Sequence, residues 1–252
     1  MTLRYEVNPP KVIQSKLLSH DELQSSLDNI KQRIINISKN CNGIHITDSV
    51  LGIPRVSPLT LAALIRDFSK KIEITISLRV RDRNLTALTQ SVCDAVLLGL
   101  NGVFILKGDA SVDGPKDSGL VPSQVVKHLN KLGFNKNIDL FLSLPSNPDF
   151  GKIQKKIETE PTGFVTQVIH SVEQVSRIAD KLMPHGFKII PCILLPFEKN
   201  KKSAKFLKLD WSSYEDNVVD FINQVSDITN EVLITSPNDF KGAQKTLKKL
   251  AI

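Results

Sequence analysis

The chain has 252 residues, of which 41% are hydrophobic and 23% are charged, a composition typical of one globular domain. This composition excludes a disordered chain, and no apolar run reaches the roughly 18 residues that a membrane-spanning helix needs. Two charges and two prolines stand within residues 1–10, where a secretory signal would carry an apolar core. We therefore expect a single domain over residues 1–252 in a soluble, cytoplasmic protein without a membrane partner.

The cysteines and the net charge exclude further classes of function. Cys41, Cys93 and Cys192 are far apart and follow no CxxC or Cys/His ligand spacing, so neither a disulfide framework nor a metal site is expected. The net charge of +7 raises the question of a polyanionic partner. With one Trp and two Tyr in the chain, no stacking platform for nucleic acid is visible, and we expect no nucleic-acid partner.

Eight short apolar runs recur along the chain, and each is followed by a helix-like segment. They cover residues 3–7, 43–47, 72–80, 102–106, 138–144, 163–169, 188–195 and 231–235. This alternation is the pattern of βα units around a parallel sheet. Eight such units in a chain of this length predict an α/β fold of the closed (β/α)₈ type, the TIM barrel, with few insertions. An open doubly wound sheet is the alternative, disfavoured because no GxGxxG turn follows the first strand.

Capping signals precede several of the predicted helices. Ser19 begins a capping box ahead of the first helix, Asn84 precedes another, and Ser171 with Gln174 forms a second box. Asn238 is positioned to cap the last helix. The stretch 197–213 carries no comparable signal and is predicted to be a loop.

Polar residues that follow the apolar runs are the candidates for function, because the chemistry of such barrels lies at the carboxyl ends of the strands. Glu6 lies in the first strand just before two prolines. If it faces the interior, burial raises its pKa and makes it a candidate acid, whereas the alternative is an ordinary surface glutamate.

Two further strand ends carry polar groups suited to a heterocyclic ligand. Gly108 and Asp109 follow the fourth strand, where a glycine allows close approach of a flat ligand beside an anion; an ordinary turn is the alternative. Gln167 interrupts the sixth apolar run with an amide that offers both donors and acceptors, and a structural amide is the alternative. The histidines show no pattern of a paired carboxylate or an i,i+4 metal ligand, so neither a metal site nor a histidine-activated nucleophile is expected, and no GxSxG or P-loop motif occurs.

Five segments in order along nearly the whole chain resemble the methylenetetrahydrofolate reductase family, flavin-containing (β/α)₈ barrels that act on one-carbon-carrying pterins. The segments are YEVNPPK at 5–11, RDRN at 81–84, LKGD at 106–109, FVTQ at 164–167 and GFKIIPCIL at 186–194. The resemblance implies reduction of a methylene-bearing folate or methanopterin-type carrier to its methyl form. The hydride would come from a reduced flavin, FAD, with NADH or NADPH as a possible electron donor.

The same resemblance implies roles for individual residues. Glu6 is similar to the family's general acid, Asp109 to the catalytic carboxylate beside the flavin ring, and Gln167 to the residue that binds the pterin. The positions similar to those that bind the cofactor are Thr47, Ser77, Leu106, Lys107, Gly108, Asp109 and Lys156, with Lys156 matching the charge of a diphosphate.

The chain also departs from the family pattern. Ser77 stands where the family has a histidine at the start of its His-Leu-Thr-Cys run, and the tyrosine and histidine expected around Leu144 and Asn147 are missing. The final strand lacks the family's aromatic residues. These departures leave open an alternative: a non-catalytic or complex-dependent pterin-binding subunit with a degenerate flavin site. For the chain in general, a homo-oligomer or an electron-donating partner subunit is left open.

Overall fold

The computed structural model describes residues 1–12, 17–111 and 117–250. Eight parallel strands close into a barrel in which each strand pairs with its neighbours in sequence and the last pairs with the first. The strands are β1 Thr2–Val7, β2 Gly43–Ile46, β3 Glu73–Arg79, β4 Gly102–Leu106, β5 Asp139–Leu144, β6 Gly163–Val168, β7 Lys188–Leu194 and β8 Glu231–Thr235. The predicted TIM barrel is confirmed, and each predicted strand end lies within one residue of the observed end.

The helices pack around the outside of the barrel. In the described part of the chain they are α1 His20–Ile37, α2 Pro58–Phe68, α3 Leu85–Leu97, α4 Pro122–Lys131, α5 Phe150–Ile157, α6 Val172–Leu182, α7 Lys201–Leu207, α8 Val218–Thr229 and α9 Phe240–Leu250. Across the same described residues, no helix combines the length and the apolar character that crossing a membrane requires.

Most of the predicted caps are present. The Ser19 hydroxyl accepts a hydrogen bond from the Glu22 backbone N–H, and the Asn84 side chain accepts one of 2.8 Å from Ala87. Ser171 and Gln174 form the complete capping box of α6. The prediction for Asn238 is wrong, because its side-chain amide donates to Ser203 Oγ instead. The start of α9 is capped by the next residue, Asp239, whose carboxylate accepts from the Gly242 backbone N–H at 3.2 Å.

The prediction of a loop over residues 197–213 is also wrong, because this stretch contains the helix α7. The residues that follow α7 fix it to the barrel: the Tyr214 hydroxyl donates a 2.9 Å hydrogen bond to the Leu194 carbonyl, and its ring stacks on Phe221 with centroids 4.3 Å apart. This anchoring places Phe206 and Leu207 at the carboxyl-terminal mouth of the barrel.

Side chains that point into the barrel close its amino-terminal end. Arg4 lies inside β1, with an ion pair to Glu73 at 2.8 Å and a second ion pair to Glu231. An apolar layer lies above these charges and consists of Phe104, Phe141, Val165, Ile190 and Leu233. The barrel interior is therefore filled from below, and open space for a ligand lies at the carboxyl end.

Candidate functional site

A cavity of about 600 Å³ opens at the carboxyl-terminal mouth of the barrel. The three residues with predicted roles in the reaction, Glu6, Asp109 and Gln167, all line it, although they come from the ends of β1, β4 and β6. Its volume lies within the roughly 300–1,000 Å³ of small-molecule sites in proteins. The fold thus brings the three predicted residues to one ligand-sized space.

Glu6 is partly buried in the cavity wall. Its Oε1 atom accepts a hydrogen bond of 2.8 Å from the hydroxyl of Thr235, at the end of the neighbouring strand β8. Burial raises the pKa of this carboxyl above its usual range, although the Thr235 hydrogen bond and the charge of Arg55 act in the opposite direction. A carboxyl group that holds its proton to higher pH is suited to general acid catalysis.

His45 faces the cavity beside Glu6, its register partner on β2, and sequence reasoning missed it. Its two ring nitrogens lie 2.8 Å from the hydroxyls of Thr75 and Ser77. Burial, with a smaller contribution from the charge of Arg4, lowers the pKa of this imidazole to about 3, so the ring is neutral. The signal was available: His45 and Thr47 alternate along a strand, as inward-facing residues do.

Asp109 is exposed at the rim of the cavity, directly after β4. Its carboxylate accepts a 3.1 Å hydrogen bond from the Leu51 backbone N–H, which belongs to the loop after β2. Next to this contact, a Cβ atom at Gly52 would lie 2.1 Å from the Ala110 carbonyl oxygen. The loops after β2 and β4 therefore pack backbone against backbone, and this packing positions Asp109.

Arg79 is a buried side chain that joins three loops at the mouth. Its guanidinium forms an ion pair of 2.8 Å with Asp82, donates a 2.5 Å hydrogen bond to the Asp109 carbonyl, and donates another to the Ser49 carbonyl. A Cβ atom at Gly108 would lie 2.6 Å from Arg79 Nε. The glycine predicted to admit a flat ligand thus makes room for this arginine, although Gly108 also lines the cavity.

The remaining predicted cofactor residues divide into two groups. Thr47, Ser77 and Leu106 line the cavity, but both hydroxyls already have partners: Thr47 donates to Asn8 at 2.8 Å, and Ser77 contacts His45. Lys107 and Lys156, by contrast, do not line the cavity.

Both lysine ammonium groups are directed at protein acceptors. Lys107 Nζ lies 2.6 Å from the carboxylate of Asp117 and 3.2 Å from the Leu120 carbonyl. Lys156 Nζ donates a 2.7 Å hydrogen bond to the Ser143 carbonyl, and burial lowers the pKa of this lysine. The geometry therefore gives no support to their predicted role in binding the cofactor phosphates.

Gln167 extends from β6 into the cavity and is exposed. The pairing of β6 with β7 is irregular between Val165 and Val168, and an irregularity of this kind redirects the side chain at its centre. Among the described residues, the Gln167 amide has no hydrogen-bond partner. Phe206 and Leu207, 68% and 48% exposed, contribute apolar surface to the same cavity. An amide beside apolar surface can bind the polar edge of a flat heterocycle.

No family model and no curated protein sequence matches this chain. Solved structures do resemble it. EDTA monooxygenase from Chelativorans sp. BNC1 aligns over 100% of this chain and 92% of its own, with a TM-score of 0.65 and 9% identity. A variant tryptophan synthase alpha-subunit from the hyperthermophile Pyrococcus furiosus aligns over 99% and 97%, with a TM-score of 0.56 and 9% identity. A 2,3-dimethylmalate lyase of the PEP mutase/isocitrate lyase superfamily aligns over 99% and 79%, with a TM-score of 0.55 and 8% identity. At these identities the likeness concerns the TIM-barrel fold alone.

The cavity matches the ring of a flavin better than its phosphates. Leu106 offers apolar contact for a planar ring, and Asp109 and Gln167 offer polar groups at its rim. A diphosphate needs cations, however, and among the described residues that line the cavity Arg79 is the only lysine or arginine, already paired with Asp82. The described part of the wall therefore suits the ring portion and offers no unpaired cation for a diphosphate.

Proposed function

We propose that this chain is a reductase of the methylenetetrahydrofolate reductase type, which converts a methylene-bearing reduced pterin carrier to its methyl form. The observation that carries this proposal is the convergence of Glu6, Asp109 and Gln167 on one cavity of about 600 Å³. Their roles follow from the resemblance in sequence, and their proximity follows independently from the fold. Sites of this kind lie at the carboxyl end of the strands in TIM-barrel enzymes.

In this proposal Glu6 supplies a proton. The protonated carboxyl transfers its proton to a ring nitrogen of the carrier, and the bond between that nitrogen and the bridging methylene carbon breaks. The electron pair of the broken bond stays on the protonated nitrogen, and the methylene carbon becomes part of a cationic iminium group. The raised pKa of Glu6 favours this step, because the carboxyl keeps its proton to a higher pH than an ordinary glutamate does.

Asp109 and Gln167 act on the carrier in different ways. A carboxylate at the cavity rim stabilises the positive charge that develops on the iminium, because opposite charges attract strongly where water is excluded. Asp109 is placed to do this, since among the described residues its carboxylate accepts a single hydrogen bond, from the Leu51 N–H. The Gln167 amide donates to and accepts from the pterin edge, which fixes the orientation of the carrier.

A reduced flavin, when bound, supplies a hydride to the iminium carbon, and the resemblance favours FAD in this role. Leu106, Asp109 and Ser77 are the residues that would surround its ring. NADH, NADPH or an electron-donating partner would then reduce the flavin.

A specific observation favours a second candidate function. Lys107 and Lys156 are occupied by protein acceptors, so the chain lacks the predicted charges for a diphosphate. A pterin-binding subunit without a flavin of its own, active only with a partner, would have this arrangement.

The test is an anaerobic assay with methylenetetrahydrofolate or its tetrahydromethanopterin analogue, using chemically reduced FAD as donor and mass spectrometry to detect the methyl product. We expect product with the native chain and a loss of roughly 10² to 10⁴ in rate for Glu6→Gln. Glu158→Gln, at an exposed helix end, is the control and should retain the rate.

Calorimetry of carrier binding separates the two candidates. Carrier binding without product under these conditions supports the pterin-binding subunit. Neither binding nor product with either carrier would overturn both candidates.

A further inference from the structure

A second cavity, of about 340 Å³, lies beside the first and shares Glu6 with it. It is bounded by β1, by α1 and by the segment that follows β8. Its polar lining residues are Tyr5, Glu6, Asn8, Arg33, Ser236 and Asn238. Glu6 therefore stands between two spaces that open on different sides of the barrel wall.

The second cavity is lined by Glu6 and also by exposed residues. At its outer end Arg33 and Asn238 are exposed, and the Arg33 guanidinium lies 5.5 Å from the centre of the Phe240 ring. Its lining also includes Glu6 and Asn8, whose side-chain oxygen Oδ1 accepts the hydrogen bond from the Thr47 hydroxyl. Since a water molecule takes up about 30 Å³ of liquid volume, the space is large enough for a chain of several waters.

The polar groups along this cavity can hydrogen-bond such waters. The side-chain NH₂ of Asn8 has no partner among the described residues, so it can donate to a water next to Glu6. Tyr5 and Ser236 contact each other through a 3.3 Å hydrogen bond from the tyrosine hydroxyl to the serine carbonyl. Asn238 adds a backbone carbonyl and an amide at the exposed end. A water needs two to four polar partners to be ordered, and these residues provide them.

A return path for protons is required if Glu6 acts as the acid. After each proton transfer Glu6 is a carboxylate, and the carrier and hydride donor then occupy the central cavity and block access from the mouth. We propose that the second cavity is a water path that reprotonates Glu6 from solvent while the central cavity is occupied. The carboxylate takes a proton from the nearest water, and a solvent acid restores the proton at the Arg33 end. This inference rests on the proposed function.

Charged and titratable groups face Glu6 and the path from several elements. Arg55 acts on Glu6 from the loop after β2, Arg33 lies on α1, and Asp239 lies at the start of α9 near Tyr5. Buried Cys192 faces Glu6 from β7 and holds its proton, because burial and the Glu6 charge both raise its pKa. The group that releases and regains a proton on this path is therefore Glu6.

Filling the second cavity tests the proposal. Ile30 lines the cavity from the half-buried face of α1, so Ile30→Trp places a ring inside it. Ile35→Trp, on the same helix at a half-buried position outside the cavity lining, is the matched control. Thermal unfolding establishes that both variants are folded, and a crystal structure establishes that the ring fills the space.

The measurement is hydrogen–deuterium exchange of the Glu6 carboxyl, followed by the infrared band that Glu6→Gln removes, after rapid mixing with D₂O. It is made on the full chain with 5-methyltetrahydrofolate bound. We expect fast exchange in the native chain and in Ile35→Trp, and exchange at least about tenfold slower in Ile30→Trp, in line with the size of proton-transfer effects. Equal exchange rates in the two tryptophan variants would overturn the path.

Turnover gives a second readout. In Ile30→Trp the first turnover, which uses the proton already on Glu6, should keep its rate, while steady-state turnover falls. An equal fall in both phases contradicts the path, because it indicates a distorted site. Absence of product in the native chain would contradict the proposed function instead, and the exchange measurement on the bound methyl carrier would still decide the path.

Discussion

The Thr235 hydroxyl donates a 2.8 Å hydrogen bond to the Glu6 carboxylate, joining the last strand of the barrel to the first. β1 and β8 are neighbours in the closed sheet, so this contact adds a side-chain link to the strand pair that closes the barrel. It orients the carboxyl group toward the cavity and stabilises its charged form. The donor therefore limits how far burial raises the Glu6 pKa.

Removing this donor should shift the titration of Glu6. We expect Thr235→Val to raise the Glu6 pKa further, so the pH above which turnover in the proposed reaction falls moves upward. The same change should lower the free energy of unfolding by about 1 kcal/mol, the usual value of one hydrogen bond. The pH profile of kcat checks this, with Thr89→Val on α3 as a control whose profile should stay in place. A downward shift in Thr235→Val would contradict the assignment.

Glu6 should also reduce stability at high pH. Its pKa in the folded state is raised above the unfolded value, so its contribution to stability is fully present at pH values below the unfolded pKa. That contribution is lost as the pH rises through the folded pKa. Glu6→Gln should therefore have a higher free energy of unfolding than the native chain at pH 8, and the difference should shrink toward pH 4. Urea unfolding at several pH values measures it, and a difference independent of pH would refute it.

The contribution of His45 to stability should depend on pH in the opposite direction to that of Glu6. The pKa of His45 is lowered to about 3 in the folded state, so the stability it contributes is complete above the unfolded pKa of about 6.5 and is lost as the pH falls toward 3. The loss approaches about 1.4 kcal/mol per pH unit in this window. His45→Gln should remove this slope, although its stability at pH 7 is lower because hydrogen bonds to Thr75 and Ser77 change.

The control for this measurement is His185→Gln, because His185 is exposed. Urea unfolding between pH 4 and pH 7 should give the same slope for His185→Gln as for the native chain. An unchanged slope in His45→Gln would show that the ring is protonated in the folded protein.

The strands and the convergence of Glu6, Asp109 and Gln167 could be predicted because both depend on local pattern. Short apolar runs separated by capped helices specify βα units, and parallel strands bring all their carboxyl ends to one rim. A polar residue at the end of such a run therefore lies at the mouth wherever its strand stands in the barrel.

The two lysines predicted to bind the cofactor are directed at protein acceptors for reasons that are also physical. Lys107 follows the cavity-lining Leu106 along a strand, and alternation turns its side chain to the other face. Lys156 lies in the last turn of α5, outside the sheet. The role of Arg79 depends on contacts with residues about 30 positions away, which no local pattern encodes. α7 is rich in lysine, and the Asn200 side chain makes no capping hydrogen bond, so its sequence resembled a loop.

Arg79 should contribute more to the free energy of unfolding than Arg81, which lies two residues further along the chain. Arg79→Met leaves the carbonyls of Ser49 and Asp109 without their donor, and we expect a loss of about 2–3 kcal/mol in the free energy of unfolding. Arg81→Met is the comparison: Arg81 is more exposed, pairs with Asp117 at 3.4 Å and donates one 3.0 Å hydrogen bond, to the Gly108 carbonyl, so its loss should be about 1 kcal/mol. Urea unfolding measures both, and an equal cost would contradict the assignment.

Gly52 should control the position of Asp109 through the packing of two loops. It has φ +70°, and a Cβ atom there would lie 2.1 Å from the Ala110 carbonyl oxygen. Gly99 provides a matched control because it has φ +62° and nothing within 4 Å of the added atom. Gly99→Ala should cost about 1–2 kcal/mol, the price of a left-handed backbone alone. Gly52→Ala should cost more and should also weaken carrier binding, since the loop that carries Asp109 must move. Urea unfolding and calorimetric titration with 5-methyltetrahydrofolate measure the two effects, and equal carrier affinity in the two variants would show that Asp109 does not depend on this packing.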